Sequence, residues 1–293
     1  MSKLLSEPIQ NWNDLRLKLV WIYDGPIRRF ASGVYPGTPA VAWHLRKGHA
    51  TLRFGSATQK FGSGTWIFPR GEEGLQTFSD DAIVLSVRFV AEWPTGESLF
   101  DRSRTVEMPE NPLRKLTRIA ERLSGLVGHE FPGVTYELPN MPGSLRRHIE
   151  IQRLFFGWMR EYIRAMERAG LEARTITRLD SRVRHAIHVM ESRSLGQPLR
   201  ERELAVEAGL SVSHLHKLFV QALNLTPTEY WEKKRIHSAR LALLESSQSV
   251  KSIAYSLGFK SLPHFSLWVS KRLGKSPREI RKMSGLLPPE PDN

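Results

Sequence analysis

The sequence predicts an α+β protein with an amino-terminal antiparallel β domain, a helical connector and an all-α carboxyl-terminal domain. Three observations support this prediction. Strand-like alternation of apolar and polar residues ends near residue 110, amphipathic helical stretches occupy 111–172, and a helix-turn-helix pattern occurs twice within 173–284. Residues 285–293 are expected to form a frayed tail. The 293 residues suffice for two domains that each have a core.

Short apolar-alternating runs punctuated by glycine and proline predict the strands of the first domain. Six runs qualify, at 17–23, 41–45, 50–54, 59–61, 65–68 and 83–89. Turns are expected at 24–26, 47–48, 62–64 and 69–71. Several short strands joined by such turns indicate a small antiparallel barrel or sandwich.

Three helices are expected between the strands and the repeated pattern. The first covers 111–128 and has a cap at Asn111, and the second covers 144–170. The apolar stripe of the second helix fits two roles, closing the open end of the barrel or pairing two subunits. The third helix, 179–192, begins at Asp180 and opens the carboxyl-terminal domain.

The pattern of residues 204–227 predicts two short helices joined at Gly209. Glycine adopts a left-handed turn without steric cost. Ser211 is placed to cap the second helix by accepting from the backbone N–H of Ser213 or His214. The polar residues of that helix fall between its apolar positions and are Ser213, His214, His216, Lys217 and Gln221. Any helical hairpin has a packed face and a solvated face, so this pattern alone also fits an ordinary helix pair.

A second copy of the pattern favours DNA binding. The Ala254-to-Gly258 segment repeats the Ala205-to-Gly209 segment, although the second turn is one residue longer. Both copies end in a hydroxyl residue followed by proline, which predicts a further capped helix. A long helix over 227–244 separates the copies. It would hold two recognition helices about 34 Å apart, so that both enter successive major-groove segments on one face of DNA.

The residues of both units resemble the AraC/XylS family of bacterial transcription regulators. The resemblance is carried by segments 209–219, 229–244, 253–259 and 274–277, together with Phe265. It implies a seven-helix module with two helix-turn-helix units, at about 201–222 and 249–272. It also implies double-stranded DNA as a partner, and RNA polymerase as a further partner of an activator.

By position, the resemblance places Ser213, His216 and Lys217 toward bases or phosphates. In the second unit the sequence departs from the family, because apolar residues replace polar ones and an arginine. These replacements are Leu262, Pro263, Leu267 and Trp268. We therefore expect the first helix to read bases and the second to contact phosphates and thymine methyls. The expected DNA-binding residues are Ser211, Ser213, His214, His216, Lys217, Lys260, Ser261, His264 and Ser266.

The chain is strongly basic, with a formal net charge of +13. From residue 171 onward it has 20 Lys and Arg against 12 Asp and Glu. This excess fits a polyanionic partner. The sequence has no cysteine, which excludes disulfides, thiolate metal sites and cysteine nucleophiles. Residues 1–8 lack the apolar run of a signal peptide, and no stretch approaches the ~20 apolar residues of a membrane span. We expect a cytoplasmic protein without a membrane partner.

The segment from Trp43 to Gly71 resembles a cupin barrel in the spacing of its turns, which implies a sensing domain. His44 and His49 do not form the cluster of histidines and carboxylate that a metal needs, so we expect neither metal nor cofactor. A small-molecule effector would find stacking faces and cationic partners at Trp43, Arg46, Trp66 and Arg88. The alternative is that the tryptophans are core residues and the arginines are solvated.

Together these features predict a DNA-binding transcription regulator and no enzymatic activity. The amino-terminal barrel would bind a small-molecule effector and control the helix-turn-helix units. Helices that could pair two subunits are assigned to 111–172. Two alternatives remain open: a cupin-type enzyme with an accessory DNA-binding domain, and a DNA binder that needs no ligand.

Overall fold

Nine β-strands and nine α-helices make up the part of the chain that the structure, a computed structural model, describes. That part comprises residues 12–27, 32–35, 37–94, 96–132, 138, 141–174, 180–245 and 248–283. The predicted tail, 285–293, lies outside it. The chain divides into two units, residues 1–175 and 176–293. Among the helices described, none is long and apolar enough to cross a lipid bilayer.

The strands all belong to the first unit. They are β1 (Arg16–Pro26), β2 (Ser32–Tyr35), β3 (Ala40–Lys47), β4 (His49–Phe54), β5 (Ala57–Gly62), β6 (Thr65–Phe68), β7 (Gly74–Phe78), β8 (Ile83–Glu92) and β9 (Val106–Pro109). All six runs predicted from the sequence lie within strands. The prediction missed β2, β7 and β9, which are four or five residues long and contain glycine or polar residues. The predicted turn at 24–26 is wrong, because these residues continue β1 and pair with β8.

The strands form two antiparallel sheets rather than one closed barrel. The five-stranded sheet has the order β1-β8-β3-β6-β9, and the four-stranded sheet has the order β2-β7-β4-β5. Apolar side chains from both sheets, among them Tyr35, Trp43 and Phe54, form one buried cluster between them. The amino-terminal fold is therefore a sandwich, the second of the two architectures that the strand pattern allowed.

Helices cover the opposite face of the five-stranded sheet. A 3₁₀ turn, Asn111–Leu113, leads into α1 (Arg114–Glu130), and α2 (Leu145–Arg168) follows. Trp158 and Tyr162 of α2 both pack edge-on against Phe89 of β8, with ring centroids 5.0 and 4.9 Å apart. The predicted second helix starts where expected, and Ser144 caps α2 by accepting from the Arg147 N–H. The predicted cap at Asn111 is wrong, because Asn111 lies within the 3₁₀ turn and the capping positions are Glu110 and Leu113.

The apolar residues of α2 form two sets, one buried and one exposed. One set, which includes Phe155 and Trp158, is buried against the sheet, so α2 does close one face of the β domain. A second set, Leu145, Ile149 and Phe156, is exposed. Pairing of two subunits through α2 stays a prediction.

The second unit contains seven helices in its described residues, the number that the family resemblance implies. They are α3 (Ser181–Ser192), α4 (Glu201–Glu207), α5 (Val212–Leu223), α6 (Pro227–Glu245), α7 (Val250–Ser256), α8 (Leu262–Leu273) and α9 (Pro277–Met283). Asp180 caps α3 by accepting from the backbone N–H of Arg182 at 2.9 Å, as predicted. The side-chain and backbone hydrogen bonds from Arg182 lower the pKa of Asp180 to about 2.

The long helix α6 packs on two different cores. Tyr230 and Trp231, near its start, are buried in a cluster with α3, α4 and α5. Ala239 and Leu243, near its end, are buried in a cluster with α7, α8 and α9. At about 100° per residue, Tyr230 and Ala239 lie on opposite sides of the helix. The sequence pattern had suggested one shared side for Tyr230, Ile236, Ala239, Leu243 and Leu244, which is therefore wrong. Ile236 is only partly buried.

The two hinge glycines both adopt left-handed conformations, with φ 67° at Gly209 and φ 80° at Gly258. Their surroundings differ. A Cβ added at Gly209 would meet no atom within 4 Å, whereas one at Gly258 would overlap the carbonyl oxygen of Gly196. The first glycine is needed for backbone conformation alone, and the second also for a close backbone approach.

This difference predicts unequal costs for the same substitution. Gly209→Ala should lower the free energy of unfolding by about 1 kcal/mol, the cost of a left-handed alanine. Gly258→Ala should lower it by about 2–4 kcal/mol, because the Gly196 backbone must also move. Urea denaturation of both variants, followed by far-ultraviolet circular dichroism, measures the pair. Equal losses would contradict the assigned role of Gly196.

Candidate nucleic-acid interface

The second unit contains one structural motif twice, as the sequence repeat predicts. In the first copy α4 and α5 meet at Gly209, and in the second α7 and α8 meet at Gly258. Leu215 and Phe265 occupy matching, fully buried positions in α5 and α8. The longer second turn is also present, since the capping serine follows the glycine by two residues in one copy and three in the other.

Hydroxyl residues set where the helices of both copies begin. Ser211 accepts a hydrogen bond from the backbone N–H of His214 at 3.2 Å, and Ser261 accepts from His264 at 3.4 Å. Capping uses a lone pair of each oxygen and leaves the O–H able to donate to a phosphate. Both serines are exposed. They therefore position the helices and stay candidates for backbone contact.

The next helices begin with identical reciprocal caps. The Glu229 carboxylate accepts from the backbone N–H of Thr226 at 2.7 Å, and Thr226 Oγ1 accepts from the Glu229 N–H at 3.2 Å. Ser276 and Glu279 repeat both bonds at the same distances. The hydroxyl-proline signal in the sequence thus predicted both helix starts correctly.

The outer face of α5 presents the predicted polar residues. Ser213, His214 and Lys217 are exposed, and no carboxylate among the described residues pairs with Lys217. His216 is different, because it is half-buried and its Nε2 lies 3.1 Å from Glu201 Oε1. Ser213, His214, Lys217 and Gln221 are thus donors of this helix that the rest of the unit leaves accessible.

Glu201 fixes α5 relative to its neighbours. Its Oε1 accepts from Thr228 Oγ1 at the start of α6 and contacts His216 of α5. Partial burial raises the pKa of Glu201, but the hydrogen bonds from Thr228 and His216 outweigh this effect and hold the pKa below its ordinary value. No local sequence pattern marks this residue, since its partners lie 15 and 27 positions away.

The outer face of α8 is partly apolar. Leu267, which occupies the position that Lys217 has in α5, is 69% exposed, and Leu262 is also exposed. Ser266 is half-buried, and the His264 ring packs edge-on against Phe259 with centroids 5.4 Å apart. Lys260 is exposed in the turn before α8. This geometry agrees with the expected contrast between a polar first helix and a largely apolar second helix.

Trp268 does not share that surface. Its Nε1 donates to Glu232 Oε1 of α6 at 2.8 Å. The Arg235 guanidinium lies 5.3 Å from the Trp268 ring centroid and 4.9 Å from that of Phe259, and it donates to the Leu257 carbonyl at 3.1 Å. These contacts hold the second helix-turn-helix motif against α6. In the sequence, Arg235 stands out only as part of the family-like segment 229–244, and no local pattern marks Glu232.

The four residues predicted to bind an effector are not brought together. Residues next to one another in a strand face opposite sides of its sheet. Trp43 lies in the cluster between the sheets, whereas Trp66 lies in the cluster beneath the helices and donates to Thr117 Oγ1 at 2.9 Å. Trp43 and Trp66 therefore do not line one pocket, and both are core residues, which is the alternative that the sequence left open.

The two arginines of that set are also separated. Arg46 donates to Asp24 Oδ2 and to Glu121 Oε1, both at 2.9 Å, on the helical side of the sheet. Arg88 is half-buried near Tyr35. Burial raises the pKa of the Tyr35 hydroxyl, and Arg102 and Arg88 partly oppose that effect.

His44 is a buried titratable residue beside this cluster. It is 4% exposed, and its ring stacks on Trp66 with centroids 5.3 Å apart. Neither ring nitrogen has a hydrogen-bond partner among the described residues, although Nε2 lies 3.5 Å from Glu110 Oε2. Burial lowers the pKa of His44, an effect that Glu110 opposes without cancelling. In the part of the chain described, no three His, Asp or Glu side chains form a metal-binding group.

Comparisons with known proteins agree with the repeated motif. A family model described as a helix-turn-helix domain matches residues 204–283. The HTH-type transcriptional regulator ArgR of Pseudomonas aeruginosa is 30% identical over 141 residues, 48% of this chain and 40% of that protein. The HTH-type transcriptional activator RhaS of Escherichia fergusonii is 36% identical over 103 residues, 35% of this chain and 37% of that protein. The chain thus spans about two-fifths of the length of these curated relatives.

Two solved structures are similar to parts of the chain. A transcriptional regulator from Chromobacterium violaceum with an AraC-type DNA-binding domain is 30% identical and covers 38% of this chain and 96% of its own, with a TM-score of 0.33. ToxT from Vibrio cholerae is 15% identical over 91% of this chain and 99% of its own, with a TM-score of 0.46.

The burial of His44 predicts a pH-dependent stability. The pKa of His44 is lowered from 6.5 in the folded state, so the unfolded chain takes up a proton first as the pH falls. The folded state should lose stability below about pH 6.5, by at most about 1.4 kcal/mol per pH unit. Urea denaturation across this range should show a smaller loss for His44→Phe than for the wild type.

A matched control is His49→Gln, which removes an exposed histidine from the neighbouring strand. It should keep the pH dependence of the wild type. If His44→Phe and the wild type lose stability equally, His44 is not the group responsible.

Proposed function

We propose that this protein, whose carboxyl-terminal helices belong to the AraC-type helix-turn-helix domains, is a sequence-specific DNA-binding transcription regulator. One observation carries the proposal. Two equivalent helices, α5 and α8, have exposed outer faces and are attached to opposite ends of one helix, α6. The 19 residues of α6 span about 28 Å, close to the ~34 Å between successive major-groove segments on one face of DNA.

The charge of the chain supports a DNA partner. Lys217 and Lys260 are exposed on or beside the two candidate recognition helices. The basic excess from residue 171 onward provides the cations that replace counterions on a phosphate backbone. The regulator acts by occupying DNA rather than by catalysing a reaction.

The two recognition helices make different contacts with DNA. Helix α5 presents Ser213, His214 and Lys217 to base edges, while Ser211 donates to phosphate and His216 positions the helix through Glu201. Helix α8 and the turn before it contribute phosphate contacts from Lys260, Ser261, His264 and Ser266. Its exposed Leu262 and Leu267 contact thymine methyls, which are the apolar feature of the major groove.

The remaining partners follow from this role. In the bacterial cytoplasm the regulator binds operator DNA, contacts RNA polymerase where it activates, and responds to a small molecule held by its first unit. A ligand shifts promoter occupancy only through a difference in its affinity for the two states of the protein.

The proposed division predicts different effects for two lysine substitutions. On a duplex selected from a random pool by the wild type, Lys217→Ala should lose about 1–3 kcal/mol of preference over random duplex. Lys260→Ala should weaken binding to both duplexes alike. It should also reduce the slope of log affinity against log salt by about 1. Competition binding at several salt concentrations measures both quantities.

Lys60→Ala is the control, because it removes an exposed lysine from the β domain and makes the same change in net charge. It should leave preference and salt slope unchanged. If Lys217→Ala and Lys260→Ala lose the preference for the selected duplex equally, the different roles proposed for the two helices are contradicted. A wild type without any preference would contradict sequence-specific regulation and favour a ligand-independent DNA binder.

A further inference from the structure

A cavity of about 460 Å³ lies in the first unit, away from the residues first expected to bind an effector. It is bounded by β1, by the end of α1, and by the turn that leads into α2. Since β1 is the edge strand of the five-stranded sheet, its outer side is open to this space. The volume lies within the range of small-molecule sites, about 300–1,000 Å³.

The wall of the cavity is largely apolar. The apolar lining residues are Leu19, Phe131, Leu138, Met141, Leu145 and Ile151. Leu19 and Ile151 are buried in the core beneath, whereas Leu145 is 76% exposed at the rim. Such a wall suits a hydrocarbon body that loses contact with water on binding.

The polar lining residues donate hydrogen bonds or carry positive charge. They are Lys18, Arg147, His148 and Gln152, and no aspartate or glutamate is among the lining residues. Lys18 is exposed, and no carboxylate in the described part of the chain pairs with it. A cavity with cations and without lining carboxylates favours an anionic ligand over a cationic one.

Arg147 has a different role from Lys18. Its Nε donates to Glu130 at 2.8 Å and its Nη1 to Glu150 at 2.9 Å. These two glutamates fix Arg147 and together outweigh its charge. The positive charge available to a ligand therefore comes from Lys18 and the start of α2.

The start of α2 adds to the positive potential. Gly143 and Leu145 line the cavity, and Ser144, between them, caps the 24-residue helix by accepting from the Arg147 N–H. The backbone N–H groups of the first turn that have no acceptor within the helix point toward its start. Their partial positive charge favours an anion there. The charge of Lys18 and the helix end therefore act in the same direction.

We propose that this cavity binds an amphipathic monocarboxylate, with its hydrocarbon body against the apolar wall and its carboxylate near Lys18 and the start of α2. Its use as an effector site rests on the proposed function. Binding itself does not, because it involves the first unit alone.

Three probes of one chain length test the charge preference. Octanoate, 1-octanol and octylamine share a hydrocarbon body and differ in the charge of the head group. Calorimetric titration of the full chain without DNA should give the tightest binding for octanoate, with a dissociation constant below about 1 mM. Octylamine should bind at least about tenfold more weakly, since its ammonium meets a positive rim.

Two variants distinguish the contribution of the head group to binding from that of the hydrocarbon body. Lys18→Ala should weaken octanoate about tenfold and leave 1-octanol unchanged, because the alcohol has no charge to pair. Gly143→Leu should abolish binding of both probes, since its side chain would extend beside Phe131 into the cavity. The φ of Gly143 lies outside the left-handed region, so the backbone accepts a side chain.

Each variant has a matched control. Gly143→Ala should keep binding, because its Cβ would meet Phe131 Cζ at 3.6 Å, an ordinary van der Waals distance. Lys60→Ala removes a lysine elsewhere in the β domain and should bind octanoate like the wild type. Circular dichroism of every variant verifies that it is folded.

The proposal is overturned if octanoate does not bind, if octylamine binds as tightly as octanoate, or if Lys18→Ala has no effect on octanoate. DNA affinity is measured separately, with and without octanoate. Loss of sequence-specific DNA binding would contradict the proposed function while octanoate binding stands. Octanoate binding that leaves DNA affinity unchanged would contradict the effector role alone.

Discussion

The second unit depends on one constraint, which is that helix α6 is buried on opposite sides at its two ends. Tyr230 near its start and Ala239 near its end face opposite directions and belong to different clusters. Each half of the helix therefore supports its own helix-turn-helix motif. Because one continuous hydrogen-bonded helix joins both clusters, the distance between the motifs is set by its length rather than by a flexible linker.

Different side chains fasten the two motifs to this helix. In the first, Glu201 joins the start of α6 to His216 of α5 by hydrogen bonds. In the second, Arg235 of α6 lies over Phe259 and Trp268, so aromatic contacts replace part of the polar network. The two solutions have different consequences for recognition, because the second commits Trp268 to the interior and leaves an apolar outer face on α8.

The repeated unit was predictable because its signals are local: a glycine at each hinge, a serine at each cap and a hydroxyl residue before each proline. The six predicted strands were recognisable from alternation for the same reason, whereas β2, β7 and β9 contain glycine or polar residues. Contacts between distant positions were not, as Glu201 with His216 and Glu232 with Trp268 illustrate. Trp43 and Trp66 do not line one site, because strand parity places their side chains on opposite faces of the five-stranded sheet. The cavity beside Lys18 depends on segments far apart in the sequence, so no local pattern marks it.

Hydroxyl-radical footprinting of the full chain on a selected duplex tests the central claim most directly. If α6 holds two recognition helices against one face of DNA, the wild type should protect two major-groove segments about 10 base pairs apart. Inserting about 5 base pairs between the segments should remove one protection, because the second helix would face the wrong side of the duplex. Protection of a single segment, or two protections that persist after this insertion, would contradict the account.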